Sequence, residues 1–282
     1  MDVLKIDYTS PTAGEELAKS FRETGFAIIT NHPLSKDTMK EVYARWGDFF
    51  ALKEEAKNNF LFSRKDDVQA GFFPMNTENA KGQSIPDLKE FYHYYPWGKT
   101  PEDLKTLTNS LYSQLSNLGH TLLQWLDEST PKEITQQFSM PLADMVKDSE
   151  NTMLRILHYP PIDKDITPGA IRAAAHADIN FITLLPAATE SGLQTQDVNG
   201  DWHDVSCNFG DIAINAADML QECTGGYYPS TIHRVLNPTP DKMTISRYST
   251  PLFVHAHSDV KLSDRYTMLE YLKERLAEIG LY

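Results

Sequence analysis

The chain has 282 residues, of which 41% are hydrophobic and 23% charged, an ordinary globular composition with enough length to bury a sizeable core. A formal net charge of −13 repels phosphate backbones, so composition argues against a nucleic-acid partner and for a small-molecule one. Two cysteines, Cys207 and Cys223, cannot build a disulfide framework, no apolar run reaches spanning length, and MDVLKIDYTS lacks a signal-peptide pattern, so a cytoplasmic protein without a membrane partner is expected.

The first third mixes helices with a few strands. TAGEELAKSFRETG (12–25) has helical apolar spacing and stops at a glycine. GFAIITNH (25–32) reads as a buried strand. The segment 35–60 is expected to be one helix, opened by a serine cap, with Val42, Trp46, Phe49 and Phe50 on its apolar face. Residues 61–88 read as loop, EFYHYYPW (90–97) as strand, and 101–128 as the longest amphipathic helix. Phe72, Phe73, Tyr92 and Tyr94 are open to two readings, pocket lining or ordinary packing.

From about residue 153 the texture changes. Segments 153–160, 174–187, 192–206, 211–219, 232–238 and 242–257 all read as strands, with a hairpin signal at DVNGDW. Short strands at near-regular spacing suggest a sandwich or jelly roll. A helix at 263–280 closes the chain. The expected architecture is α+β: a mixed helical region over 1–110, a β core over 150–260 and a C-terminal helix over 261–282, forming one structural unit.

The chemistry is carried by HADINFITLLP (176–186). Residues i and i+2 of a strand share a face, so His176 and Asp178 present an imidazole and a carboxylate together. About one such His-x-acid match is expected by chance in this composition, and a second occurs at His257 and Asp259, where His255 stands nearby. The first pair is distinguished by His233, which opens the strand IHRVLNP. Two histidines and one carboxylate on neighbouring strands can cap one face of an octahedral metal, the arrangement of non-haem Fe(II) oxygenases.

A second same-faced pair follows at Arg247 and Ser249 in ISRYST. The guanidinium fork binds a carboxylate through two charge-assisted hydrogen bonds, and a serine hydroxyl adds another. That anion could be a protein carboxylate or a small dicarboxylate whose other end chelates iron. Arg155 and Arg172 are further cations for an acidic substrate or the rim. Asp218 and Asn215 read as turn organisers, and His158 and His120 as packed or exposed histidines.

HAD (176–178), GLQTQDVNGDWHDV (192–205), FGDIAINAADMLQECTGGYYPSTIHRV (209–235) and RYS (247–249), with the N-terminal GFAIITNHPL, together resemble the 2-oxoglutarate/Fe(II)-dependent dioxygenases of the isopenicillin N synthase-like branch. The resemblance runs from about residue 20 to about 257. It implies a double-stranded β-helix core with flanking N-terminal helices. It implies His176, Asp178 and His233 as iron ligands, and Arg247 and Ser249 as the anchor for the distal carboxylate of 2-oxoglutarate. It adds Tyr159 to that anchor, although Leu157 stands where many members carry asparagine. The implied cofactors are Fe(II), 2-oxoglutarate as cosubstrate and O2. The implied reaction hydroxylates or desaturates a small molecule and releases succinate and CO2; the carboxylate of Asp178 argues against halogenation. Two rival readings share the fold: an Fe(II) oxidase of the isopenicillin N synthase type that needs no 2-oxoglutarate, and a non-catalytic small-molecule sensor. Oligomeric state is not legible.

Overall fold

The computed structural model describes residues 3–65, 68–77, 85–162 and 169–278. The N-terminal part runs β1 (Leu4–Asp7), α1 (Ala13–Thr24), β2 (Phe26–Thr30), α2 (Lys36–Phe50), α3 (Glu54–Asn58), β3 (Ser63–Lys65), β4 (Val68–Phe73), β5 (Glu90–Tyr94), α4 (Glu102–Ser129), α5 (Lys132–Thr135) and α6 (Leu142–Val146). The rest runs β6 (Met153–Tyr159), β7 (Ala173–His176), β8 (Ile182–Pro186), β9 (Leu193–Gln196), β10 (Trp202–Asp204), β11 (Ile212–Ala216), α7 (Asp218–Cys223), β12 (His233–Val235), β13 (Arg247–Ser249), β14 (Leu252–Val254) and α8 (Met268–Glu278).

Two sheets result. The larger has the order β1-β2-β11-β8-β14-β6-β5-β4-β3, with β13 also paired to β6; the smaller has the order β10-β9-β12-β7. This is an α+β jelly roll.

The larger sheet is buried on both faces, and alternation along its strands divides two cores. One face, with Tyr92, Leu154, Ile156, Ile182, Leu184, Ile212, Ile214 and Leu252, packs on the helices. α4 lies close there because Gly119 has no side chain: a Cβ would come within 3.1 Å of Val254. The other face turns Phe73, Phe91, Leu157, Tyr159 and Ala213 toward the smaller sheet. Phe72, Tyr92 and Tyr94 thus pack under the helices with Trp46, while Phe73 alone of that quartet faces inward.

Where the strands and helices break differs from the sequence expectation, for physical reasons. The helix expected over 35–60 ends at Phe50, because the core stripe would next need apolar residues at 53 and 54, which are Lys53 and Glu54. Its serine cap is present: Ser35 Oγ accepts from the Thr38 amide at 3.3 Å. The segment 61–88 contains the β3–β4 hairpin, while 66–67 and 78–84 lie outside the described residues. The strand expected at 242–257 becomes β13 and β14, interrupted at Pro251, which has no N–H for the ladder. The strand expected at 174–187 becomes β7 in the smaller sheet and β8 in the larger, with a crossover between them. The end of the predicted C-terminal helix, 279–280, lies outside the described residues.

Candidate metal centre and anion pocket

The β7–β8 crossover builds the site. Asp178 sits in it, held by backbone: the Asp218 amide donates to the Asp178 carbonyl at 2.9 Å, and the Met219 amide to that of Asn180 at 3.1 Å. His176, at the end of β7, is the direct register partner of His233 at the start of β12. The three side chains converge: one ligand atom from each lies within 4.8 Å of the others, the only such group of three among the described residues. Asp178 Oδ1 is 3.8 Å from His176 Nε2 and 3.6 Å from His233 Nε2.

Every other polar position on these three side chains is occupied. His176 Nδ1 meets the Ala174 carbonyl at 2.7 Å, and His233 Nδ1 meets the Thr231 carbonyl at 3.2 Å. A carbonyl only accepts, so both rings carry their proton on Nδ1 and present the Nε2 lone pair inward. Asp178 Oδ2 accepts from Thr183 Oγ1 at 2.7 Å and Asn215 Nδ2 at 2.9 Å, leaving Oδ1 for the centre. Burial, then the neighbouring His233, push the His176 imidazole down to about 4, so it stays neutral. Burial alone would raise the Asp178 carboxyl, but the two histidines and the bonds from Thr183 and Asn215 together outweigh it and lower it. Two imidazoles with inward Nε2 lone pairs and a carboxylate oxygen, aimed at one point, are the donor set a divalent cation needs.

Asn215 therefore does more than organise a turn, the role its sequence context suggests: it orients Asp178. Thr183 escapes sequence reasoning altogether. Its only signal is the polar residue between Ile182 and Leu184, in a strand whose alternation turns it inward.

The second predicted pair comes together as well. β13 pairs with β6 so that Arg247 faces Tyr159 and Ser249 faces Leu157. Arg247 is 2% exposed; its Nε donates to the Glu190 carbonyl at 2.9 Å, and its guanidinium carbon lies 5.0 Å from the centre of the Tyr159 ring. Burial pulls this guanidinium down from its ordinary range. Its Nη1 has no hydrogen-bond partner among the described residues.

The remaining candidates separate. Arg172 is not at the rim but 1% exposed, beside Tyr159. Arg155 stacks between Phe91 and Phe253, its guanidinium carbon 4.6 and 5.4 Å from their ring centres, and its Nε meets His93 Nε2 at 2.9 Å. Register places it on the inner face: Asn215 pairs with Thr183, Thr183 with Phe253, Phe253 with Met153, and Arg155 follows Met153 by two positions. The rival cluster does not assemble: His255 Nδ1 meets the Phe253 carbonyl at 3.1 Å, and His257 Nε2 meets the Lys147 carbonyl at 2.7 Å. His158 is packed, bonded to Glu90 at 2.8 Å and Ser246 at 3.0 Å, and His120 meets the Ala143 carbonyl at 3.2 Å. No helix among the described residues is long and apolar enough to cross a membrane.

Comparison with known proteins agrees with this geometry. Residues 150–256 match the 2OG-Fe(II) oxygenase superfamily, and residues 2–113 match the N-terminal region of the non-haem dioxygenases of morphine synthesis. A crystal structure of a Shewanella oneidensis protein assigned as an oxygenase is 46% identical, with a TM-score of 0.89 and full coverage of both chains. A 2-oxoglutarate-dependent dioxygenase of Didymella fabae is 27% identical over 90% of this chain and 83% of its own length. A full-length Neurospora crassa protein, solved in complex with alpha-KG and thymine, shares the fold at a TM-score of 0.82 and 22% identity, covering 99% of this chain and 97% of its own. This chain belongs to the 2OG-Fe(II) oxygenase superfamily and is an oxidoreductase that works with Fe(II), 2-oxoglutarate and O2.

Proposed function

We propose that His176, Asp178 and His233 hold the ferrous ion, and that Arg247, Ser249 and Tyr159 hold the distal carboxylate of 2-oxoglutarate, in an enzyme that hydroxylates or desaturates a small molecule. The observation that carries this reading is the matched set of free atoms: two Nε2 lone pairs and one carboxylate oxygen converge, while every other polar atom on those side chains is engaged. Iron held by these three side chains would supply, with 2-oxoglutarate and O2, the oxidising chemistry for a substrate C–H bond, with succinate and CO2 as the co-products.

The protein's own residues divide the remaining work. Thr183 and Asn215 fix the carboxylate, so one oxygen faces the metal and the other cannot swing in. Arg247 and Ser249, partners of Tyr159 and Leu157 on β6, sit on the same inner face and set the depth at which a dicarboxylate stops. Phe253 and Arg155, next along that face from Thr183, line the space where substrate meets the centre. An aromatic wall with a guanidinium suits a flat or acidic molecule. Thymine, bound by the Neurospora crassa relative, is a molecule of that flat kind. The motif order supports the isopenicillin N synthase-like branch, and the two free cysteines support a reducing, cytoplasmic setting.

Incubating the protein with Fe(II), 2-oxoglutarate, O2 and a panel of small molecules, and measuring succinate, tests this reading. Succinate formed in proportion to 2-oxoglutarate consumed supports it; turnover of a substrate with no 2-oxoglutarate requirement favours the oxidase.

A further inference from the structure

Arg172 has no role in the site so far described, yet it is 1% exposed, one of the largest fully buried side chains in the protein. A guanidinium carries five N–H donors. Arg172 spends Nη2 on the Ile245 carbonyl at 3.2 Å, while its Nε and Nη1 are buried without a partner among the described residues. Arg247 has an unpartnered Nη1 as well. Both guanidiniums lie against one ring, that of Tyr159, at 6.0 and 5.0 Å. Burial and the Arg247 charge depress Arg172 to about 10. The nearby acidic side chain of Glu190 is engaged elsewhere, with Oε2 on Lys242 Nζ at 2.7 Å.

Two buried like charges with three donor nitrogens unpartnered among the described residues are costly without an anion. A purely structural arginine in such a place would have a carboxylate or several carbonyls; among the described residues Arg172 has one carbonyl.

We propose that Arg172 is a second guanidinium of the cosubstrate pocket, closing with Arg247 on the distal carboxylate of 2-oxoglutarate, so that the site selects 2-oxo diacids over 2-oxo monoacids with two cations rather than one. This deepens the assignment of Arg247 and Ser249 as the anchor and rests on it. The consequence is a trade between binding and stability. Without ligand, Arg172 is a liability to the fold; with a dicarboxylate in place, it becomes a contact.

The test is calorimetric and needs no turnover. Wild-type protein loaded with Mn(II) under argon is titrated with 2-oxoglutarate and with 2-oxopentanoate, which keeps the chelating end and carries a methyl group in place of the distal carboxylate. In Arg172→Met, 2-oxoglutarate should bind at least about tenfold more weakly, while 2-oxopentanoate binds as in wild type. Ligand-free Arg172→Met should melt no lower than wild type, the opposite of what a structural arginine predicts. Arg172→Gln, which can keep the Ile245 bond, should show the same selectivity loss and serves if the methionine variant does not fold. Equal affinity of wild type and variant for 2-oxoglutarate overturns the proposal, and so does an equal loss for both oxo acids. If wild-type protein binds 2-oxopentanoate and 2-oxoglutarate equally well, the whole anchor assignment falls, Arg247 included.

Discussion

Asn215, on β11, donates a hydrogen bond of 2.9 Å to the Oδ2 atom of Asp178. With the Thr183 hydroxyl it saturates that oxygen and leaves Oδ1 alone to face the two histidines. Asn215→Leu removes the donor and leaves a buried carboxylate oxygen short of a partner. Partners of this kind typically contribute 10–100-fold to metal affinity, so Fe(II) should dissociate roughly 10- to 100-fold more readily. Competition with a chelator under argon measures this, and unchanged affinity would return Asn215 to a packing role.

Arg247→Lys keeps the charge but loses the planar fork. The concentration of 2-oxoglutarate that half-saturates succinate formation should rise about tenfold or more. An unaltered half-saturation point would remove Arg247 from the anchor.

Gly25 ends α1 with φ of 67°, and a Cβ there would collide with Thr231 Oγ1 and sit 2.8 Å from the Pro229 carbonyl. Thr231 is the residue whose carbonyl orients His233. Gly25→Ala therefore strains the backbone and displaces that segment, at a cost of about 1–3 kcal/mol. Thermal melting should show the loss, and metal affinity should fall with it because His233 loses its fixed tautomer. A variant that melts like wild type contradicts the close approach.

His255 is buried, and that burial pushes its imidazole down to about 4. In the unfolded chain a histidine titrates near about 6.5. Between those values the unfolded state binds more protons, so stability rises with pH: the contribution is intact above about 6.5 and is lost as pH falls toward 4. His255→Leu should flatten the fall in melting temperature between neutral and mildly acid pH, and Fe(II) uptake at neutral pH should persist. Loss of iron in this variant would revive the cluster of His255, His257 and Asp259.

Much of the site is legible in the sequence because strand alternation is a local rule. His176 with Asp178, and Arg247 with Ser249, pair from i, i+2 spacing, and the motif order ties His233 to them. What alternation cannot show is which strands lie side by side. Thr183 and Asn215 reach Asp178 only because β8 and β11 pair across the larger sheet. Arg172 reaches Tyr159 only because the chain just before β7 meets Ile245, just before β13. The crossover after His176 is hidden for a related reason: the apolar run 181–186 continues the strand pattern, and only the backbone bonds from Ala217, Asp218 and Met219 turn the chain there. The β3–β4 hairpin is hidden by polar residues that read as loop.

The convergence of His176, Asp178 and His233 on one ion is tested most directly by equilibrium dialysis against Fe(II) under argon. Wild-type protein should retain one ferrous ion per chain, and Asp178→Ala, folded as judged by its melting curve, should retain none. Stoichiometric iron in folded Asp178→Ala would contradict the account.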